Sequence, residues 1–223
     1  MTDLFPTSWN HAVVVVAHPD DPEYGIAAAV ARWTREGKQV TYLLATSGEA
    51  GIQGMSPAEA GPLREEEQRR AAAHVGVSRL IWLDLPDGRL ADTPGLADAI
   101  RHATESHPID VVISTYRGPQ WEPGMPNQAD HMAVGEATIE ALAGRNVWHF
   151  ENGPGPTHHL VVTDDDVQAA VRSLAEHQVY LAVLDPTTDV WSQAEAVVNR
   201  SIDTAHGDNR VQFRLVSAPA RDS

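Results

Sequence analysis

Cysteine is absent from this 223-residue chain, and its absence excludes disulfides, thiolate nucleophiles and cysteine-type zinc sites together. Positive charge is scarce as well: 16 Lys and Arg face 31 Asp and Glu, leaving a net charge of -15 and a pI near 5.0. So acidic a chain lacks the clustered cations that grip a phosphate backbone, which excludes a nucleic-acid partner. Only one of the cations is a lysine, Lys38, which reads as a coding bias without functional content. No apolar run approaches the roughly 20 residues of a membrane span, and no basic-then-apolar leader opens the chain. The expectation is a soluble, cytoplasmic protein of one domain over 1–223 with its core from about 12 to 215, long enough to bury a substantial interior.

What the chain does have is a run of four valines, Val13-Val14-Val15-Val16, followed by Ala17 and then His18-Pro19-Asp20-Asp21. Such a run, bounded by a proline-containing turn, predicts a fully buried strand in the middle of a parallel sheet. Pro22 suits a first helical position and either aspartate suits a cap, so a helix is expected from Glu23 through Trp33 toward Gly37. Ligands of open α/β sheets bind outside the carboxyl ends of the strands, where this tetrapeptide falls. His18 and Asp21 are ligand types that suit Zn²⁺, with Fe²⁺, Co²⁺ or Mn²⁺ as alternatives. Adjacent aspartates repel in a low-dielectric cleft unless a cation compensates one of them. With Asp21 on the ion, Asp20 is left to take a proton from water. Ordinary helix capping is the bland alternative, and it leaves His18 unexplained.

Strands and helices then alternate. Gln39–Ala45 predicts a second strand, ending in the polar loop Thr46–Gly51. Ser56-Pro57-Ala58-Glu59 fits a capping box, with Gly61-Pro62 a point where the helix could restart before it continues through Arg64-Glu65-Glu66-Glu67-Gln68-Arg69-Arg70 to Gly76. A third strand is expected at Arg79–Leu83, a turn at Leu85–Gly88, a helix at Leu96–Ser106 and a fourth strand at Ile109–Ser114. This order implies a Rossmann-like, doubly wound, mostly parallel sheet with helices on both faces. Tyr116–Gln128 reads as a long loop whose Trp121 forms a substrate wall. The loop leads into Asn127-Gln128-Ala129-Asp130-His131 and a helix from about Met132 to Ala143. His131 thereby reaches the same carboxyl edge as His18 and offers a third ligand.

Taken in order between about residues 12 and 145, these pieces resemble the LmbE/PIG-L family of metal-dependent N-deacetylases. They are Ala17-His18-Pro19-Asp20-Asp21 with Glu23 and Gly25, Thr46-Ser47-Gly48-Glu49, Arg64-Glu65, Pro86-Asp87-Gly88 and Asp130-His131. Ala175-Glu176-His177-Gln178 is a looser echo of a later family element. The resemblance implies metal ligands at His18, Asp21 and His131, a general base at Asp20, and substrate contacts at Glu49, Arg64 and Asp87. Each contact has a plain alternative: a loop charge for Glu49, a solvated helix face for Arg64, a turn residue for Asp87.

One departure stands out. The family's second motif commonly reads His-Pro-Asp-His, whereas this chain has Gln128-Ala129-Asp130-His131. Gln128 therefore occupies a catalytic position at which the resemblance implies a histidine that polarises the amide carbonyl or protonates the leaving amine. Glutamine donates a hydrogen bond to a developing oxyanion but moves no proton near neutral pH. The expected activity is removal of an N-acetyl group from a sugar or sugar-like metabolite, a small N-acetylated partner, with a homo-oligomer left open. The alternatives are an amidase on a larger thiol-sugar conjugate, and a metal-containing binding protein that lost activity with the missing histidine. A nucleotide-binding reading is weaker, because no Gly-x-Gly-x-x-Gly follows the valine strand. His158-His159 are expected at a strand edge, Asp164-Asp165-Asp166 at a helix N-terminus, and the tail beyond Arg214 as frayed.

Overall fold

The computed structural model describes residues 2–105 and 108–220. In chain order its elements are β1 (Asp3–Leu4), β2 (His11–Val16), α1 (Ala27–Arg35), β3 (Gln39–Leu44), α2 (Pro57–His74), β4 (Arg79–Trp82), α3 (Leu96–Glu105) and β5 (Val111–Thr115). A short ribbon of β6 (Gln120–Glu122) and β7 (Met125–Pro126) follows, then α4 (Ala129–Ala141), β8 (Trp148–Asn152), β9 (His158–Val162), α5 (Asp164–Leu174), α6 (Gln178–Leu184), α7 (Val190–Ser201) and β10 (Asn209–Ser217).

Eight strands form one sheet in the order β1-β9-β10-β8-β5-β2-β3-β4. Pairings among β2, β3, β4, β5 and β8 are parallel, and β10 runs antiparallel to both β8 and β9. The expected doubly wound, mostly parallel sheet is therefore present. The valine run explains its centre: Val14 and Val16 pack into the layer carrying α1, α5 and α7, while Val13, Val15 and Ala17 pack against α3 and α4. A strand buried on both faces needs apolar residues at every position, each contributing about 1.5–3 kcal/mol on full burial.

Several boundaries differ from expectation. The first helix begins at Ala27, four residues later than expected, and neither aspartate caps it. Asp20 instead has a φ of +87°, which a helix start does not allow, and Asp21 turns its carboxylate back onto the end of β2. Helix α2 runs unbroken through Pro62, starting from the Ser56 capping box. The loop after β5 contains the β6–β7 ribbon, and α4 starts at Ala129 instead of Met132, which puts His131 in its first turn. The expected end of α3 at Ser106 lies outside the described residues, as does His107. The tail is not frayed at Arg214: β10 continues to Ser217, pairing Leu215 with Phe150 and Ser217 with His149.

Candidate metal centre and base

The end of β2 and the first turn of α4 bring His18, Asp21 and His131 to one point, with a ligand atom of each within 4.8 Å of the others. Asp21 is the hub. Its Oδ2 accepts the backbone N–H groups of Ala17 at 3.0 Å and His18 at 2.9 Å, while Oδ1 lies 3.0 Å from His131 Nε2. His18 Nδ1 stands 3.6 Å from Asp21 Oδ2. Burial opposes ionisation of Asp21, but the neighbouring His131 and His18 win and hold its carboxyl far below the usual carboxylate range. The two imidazoles respond in the opposite sense. Burial alone lowers them, yet Asp21 raises both above the ordinary histidine value. Two nitrogen donors beside a carboxylate that stays ionised are a donor set suited to a divalent cation, which competes with the protons on the imidazoles.

A second layer orients the donors. His18 Nε2 faces Asp87 Oδ1 at 3.2 Å and Asp130 Oδ2 at 3.5 Å. Asp130 is itself fixed by the N–H groups of Gly88 at 2.7 Å and Leu90 at 3.0 Å. Asn127 does the same for the other imidazole. Its Nδ2 donates to the carbonyls of Tyr116 at 2.6 Å and Gly118 at 2.9 Å, so Oδ1 is turned to accept from His131 Nδ1 at 3.2 Å. That contact places the ring proton on Nδ1 and leaves Nε2 as the donor. Asn127→Ala is expected to weaken metal affinity about 10–100-fold, measured by competition with a chromophoric chelator. Unchanged affinity would mean that packing against Trp121, whose indole meets the His131 ring edge-on at 6.5 Å, holds the ring by itself.

Asp20 is the most constrained residue of the site. A positive φ at a non-glycine residue costs about 1–3 kcal/mol and persists only where the surroundings enforce it. Here the carbonyl of Asp20 accepts from Glu23 N at 2.8 Å, its N–H donates to Gln68 Oε1 at 2.8 Å, and its Oδ1 accepts from Arg64 Nη2 at 3.0 Å. Burial pushes its carboxyl up to about 6, against the opposing pull of the Arg64 guanidinium. An acid of that strength exchanges protons near neutral pH, as general acid–base chemistry requires.

Arg64 is buried, not on a solvated helix face. Nη1 donates to Gly48 O at 3.0 Å and Nη2 to Pro19 O at 2.7 Å, and the Tyr180 ring covers the guanidinium at 4.1 Å. Gly48 is required at this close approach, since a Cβ there would stand 2.2 Å from Arg64 Nη1. Glu49 Oε1 accepts from Asp87 N at 2.8 Å, while its Oε2 is buried with no partner among the described residues. Gln128 is the N-cap residue of α4, and its exposed side chain makes no capping bond.

Asn127, Asp130 and Gln68 were not singled out as site residues from the sequence. Asp130 and Asn127 had a usable signal in their closeness to His131. Gln68 had none beyond its i,i+4 spacing from Arg64. His158 and His159 are buried in β9, and His149 shares a hydrogen bond with Ser114 Oγ at 2.8 Å.

Comparison with known proteins identifies the family and the fold. Residues 13–142 match the family model described as PIG-L, GlcNAc-PI de-N-acetylase. The probable N-acetyl-alpha-D-glucosaminyl L-malate deacetylase 2 of Bacillus anthracis is 34% identical over 141 residues, 60% of this chain and 60% of that protein. A 1D-myo-inositol 2-acetamido-2-deoxy-alpha-D-glucopyranoside deacetylase of Kineococcus radiotolerans is 31% identical over 198 residues, 73% of this chain and 55% of that protein. The chain thus spans little more than half the length of these relatives. In fold it is similar to the N,N'-diacetylchitobiose deacetylase from Pyrococcus horikoshii, with a TM-score of 0.79 at 18% identity over 93% of this chain and 84% of that one. With the family model covering more than half of its length, and the matched segment holding all three candidate ligands, the chain belongs to the PIG-L family.

Proposed function

We propose that this protein is a metal-dependent hydrolase that removes the acetyl group from the amine of an N-acetylglucosaminyl-type sugar. The observation that carries the reading is the convergence of His18, Asp21 and His131 beside a buried carboxyl, Asp20, raised to about 6. A divalent ion held by the three, zinc before Fe²⁺, Co²⁺ or Mn²⁺, would acidify a water and polarise the acetyl carbonyl.

The chain's own residues do the rest. Asp20, with Oδ1 held by Arg64, takes the proton of the attacking water and returns it to the leaving amine, serving as base and then acid. This double use answers the replacement of the family histidine by Gln128. The glutamine side chain, exposed at the start of α4, donates a hydrogen bond to the carbonyl oxygen as negative charge develops there. We assign Asp87 and Glu49, which meet beside His18, to the sugar side of the substrate, and Trp121 to the acyl side. We assign Arg64, whose guanidinium is committed to Asp20, Pro19 and Gly48, to holding the base instead of the substrate.

The relatives named above are deacetylases of sugars with malate, inositol or a second sugar attached, and the acetylated glucosamine is what those names share. The test is to load the protein with each ion, measure metal content, and follow amine release from N-acetylglucosamine, N,N'-diacetylchitobiose and the malate and inositol glucosaminides. About one ion per chain and amine from at least one of these is expected. A fully loaded protein that releases amine from none of them would sink the reading.

A further inference from the structure

Joined to the backbone of Asp20 is a polar cluster formed by Glu23, Glu67, Gln68, Ser173 and His177, all of them buried. It begins at the backbone of Asp20, whose N–H donates to Gln68 Oε1 at 2.8 Å. Gln68 Nε2 donates in turn to Glu23 Oε1 at 3.2 Å. On the far side of Glu23 stand α5 and the turn before α6: Ser173 Oγ, which also contacts Ala71 O at 2.8 Å, lies 3.1 Å from its Oε1, and the unbonded His177 Nε2 lies 3.7 Å from its Oε2. Glu67, one residue before Gln68, accepts the N–H of Val179 at 2.8 Å and closes α6 onto the same face of α2.

The polarities in this chain of contacts admit one arrangement. A peptide N–H only donates, so the residue beside it must turn an acceptor to Asp20, and the geometry leaves a donor to face Glu23 Oε1. A glutamine amide does both, and Glu23 holds the nitrogen end that faces away from Asp20. Leucine at position 68 would pack but leave the Asp20 N–H unpaired, and glutamate would set two carboxylates against each other.

We propose that Gln68 is a positioning residue for Asp20, its amide oriented by the buried Glu23–Ser173–His177 cluster. The base is thereby tied to α5 and α6, beyond the segment 13–142 that matches the family model. The inference rests on Asp20 being the base. It accounts for how a non-glycine residue is kept at a φ of +87° beside the ligands, and for why His177, buried with neither ring nitrogen partnered among the described residues, is placed against Glu23.

The experiment compares Gln68→Leu, Glu23→Leu, Glu23→Gln and the double leucine variant in zinc-loaded protein, with N,N'-diacetylchitobiose as substrate. Gln68→Leu is expected to lose about 10²-fold in kcat, as for a small misplacement of a reacting group, with KM and zinc content little changed. Glu23→Leu gives a comparable loss, Glu23→Gln a smaller one, and the double variant is no worse than either single, because one coupled unit is broken once. A role confined to stability would instead lower the thermal midpoints and leave kcat alone.

A second readout needs no substrate. In ¹⁵N-labelled protein, exchange of the Asp20 amide hydrogen is expected to accelerate about tenfold or more in Gln68→Leu, for loss of one buried hydrogen bond. The amides of Ala17 and His18, held by Asp21, stay as they were. Unchanged exchange at Asp20 overturns the proposal, and so does accelerated exchange with wild-type kcat. Wild-type turnover in Asp20→Asn would overturn the assignment of the base instead.

Discussion

Asp20→Asn is expected to lower turnover by about 10²–10⁴-fold, the usual worth of a positioned general base, while zinc content stays at the wild-type level. Asparagine keeps the shape of the side chain and its oxygen for Arg64, so only proton transfer is removed. The pH profile carries the same assignment. A carboxyl accepts a proton only when ionised, so kcat/KM rises with pH up to the Asp20 pKa and then levels. Burial places that value at about 6, and the charge of a bound cation favours the carboxylate, so the acid limb is expected at or below about 6. Arg64→Met removes the guanidinium that pulls the carboxyl down, and the limb moves to higher pH. A rate with no acid limb between about pH 4 and 7 in wild type, or a limb that ignores Arg64→Met, would take the base role away from Asp20.

The centre of the fold and the convergence of the candidate ligands were legible in the sequence for one reason. A strand buried on both faces has to be apolar throughout, and the turn that ends it has to carry the chemistry. Val13–Val16 and His18-Pro19-Asp20-Asp21 state both. The start of α1 was misread because Asp20, Asp21 and Pro22 have the composition of a helix cap, whereas the chain uses the Asp21 carboxylate to hold the amides of Ala17 and His18. The last strand was missed although Val211, Phe213 and Leu215 alternate with Arg210, Gln212 and Arg214, a half-buried period of two. Helix α2 itself was legible from its capping box, but the role of its inner face was not. Its buried face includes Arg64, Glu67 and Gln68 as well as alanines, so hydrophobic periodicity, the main signal for a helix face, is silent there. A buried polar residue is identified by its partners, and the partners of Gln68 lie 45 to 48 residues away.

Asp21→Ala is expected to cost more stability than loss of any other ligand. The carboxylate serves two backbone N–H groups and two imidazoles at once, and its removal leaves His18 and His131 side by side with ring centroids 5.2 Å apart. Breaking a buried pair by deleting one partner costs about 3–5 kcal/mol, a fall in Tm on the order of 10 °C for a chain of this size. Asp21→Asn keeps an oxygen for the two amides and should lose less, although it too forfeits the ion. In chelator-treated protein the deficit of Asp21→Ala should depend on pH in a defined way. The Asp21 pKa is depressed in the fold, so its contribution is full above the unfolded value of 3.8 and fades as pH falls through the folded one. The His18 and His131 pKa values are raised, so their contribution is full below the unfolded value of 6.5 and fades as pH rises through the folded ones. The wild-type advantage is therefore widest between those limits, where the carboxylate is charged and both imidazoles carry protons. On the alkaline side a bound cation takes the place of the protons, and zinc should restore the advantage that deprotonation removes. A deficit that stays constant across this range, with or without zinc, would assign the whole contribution of Asp21 to its hydrogen bonds with Ala17 and His18.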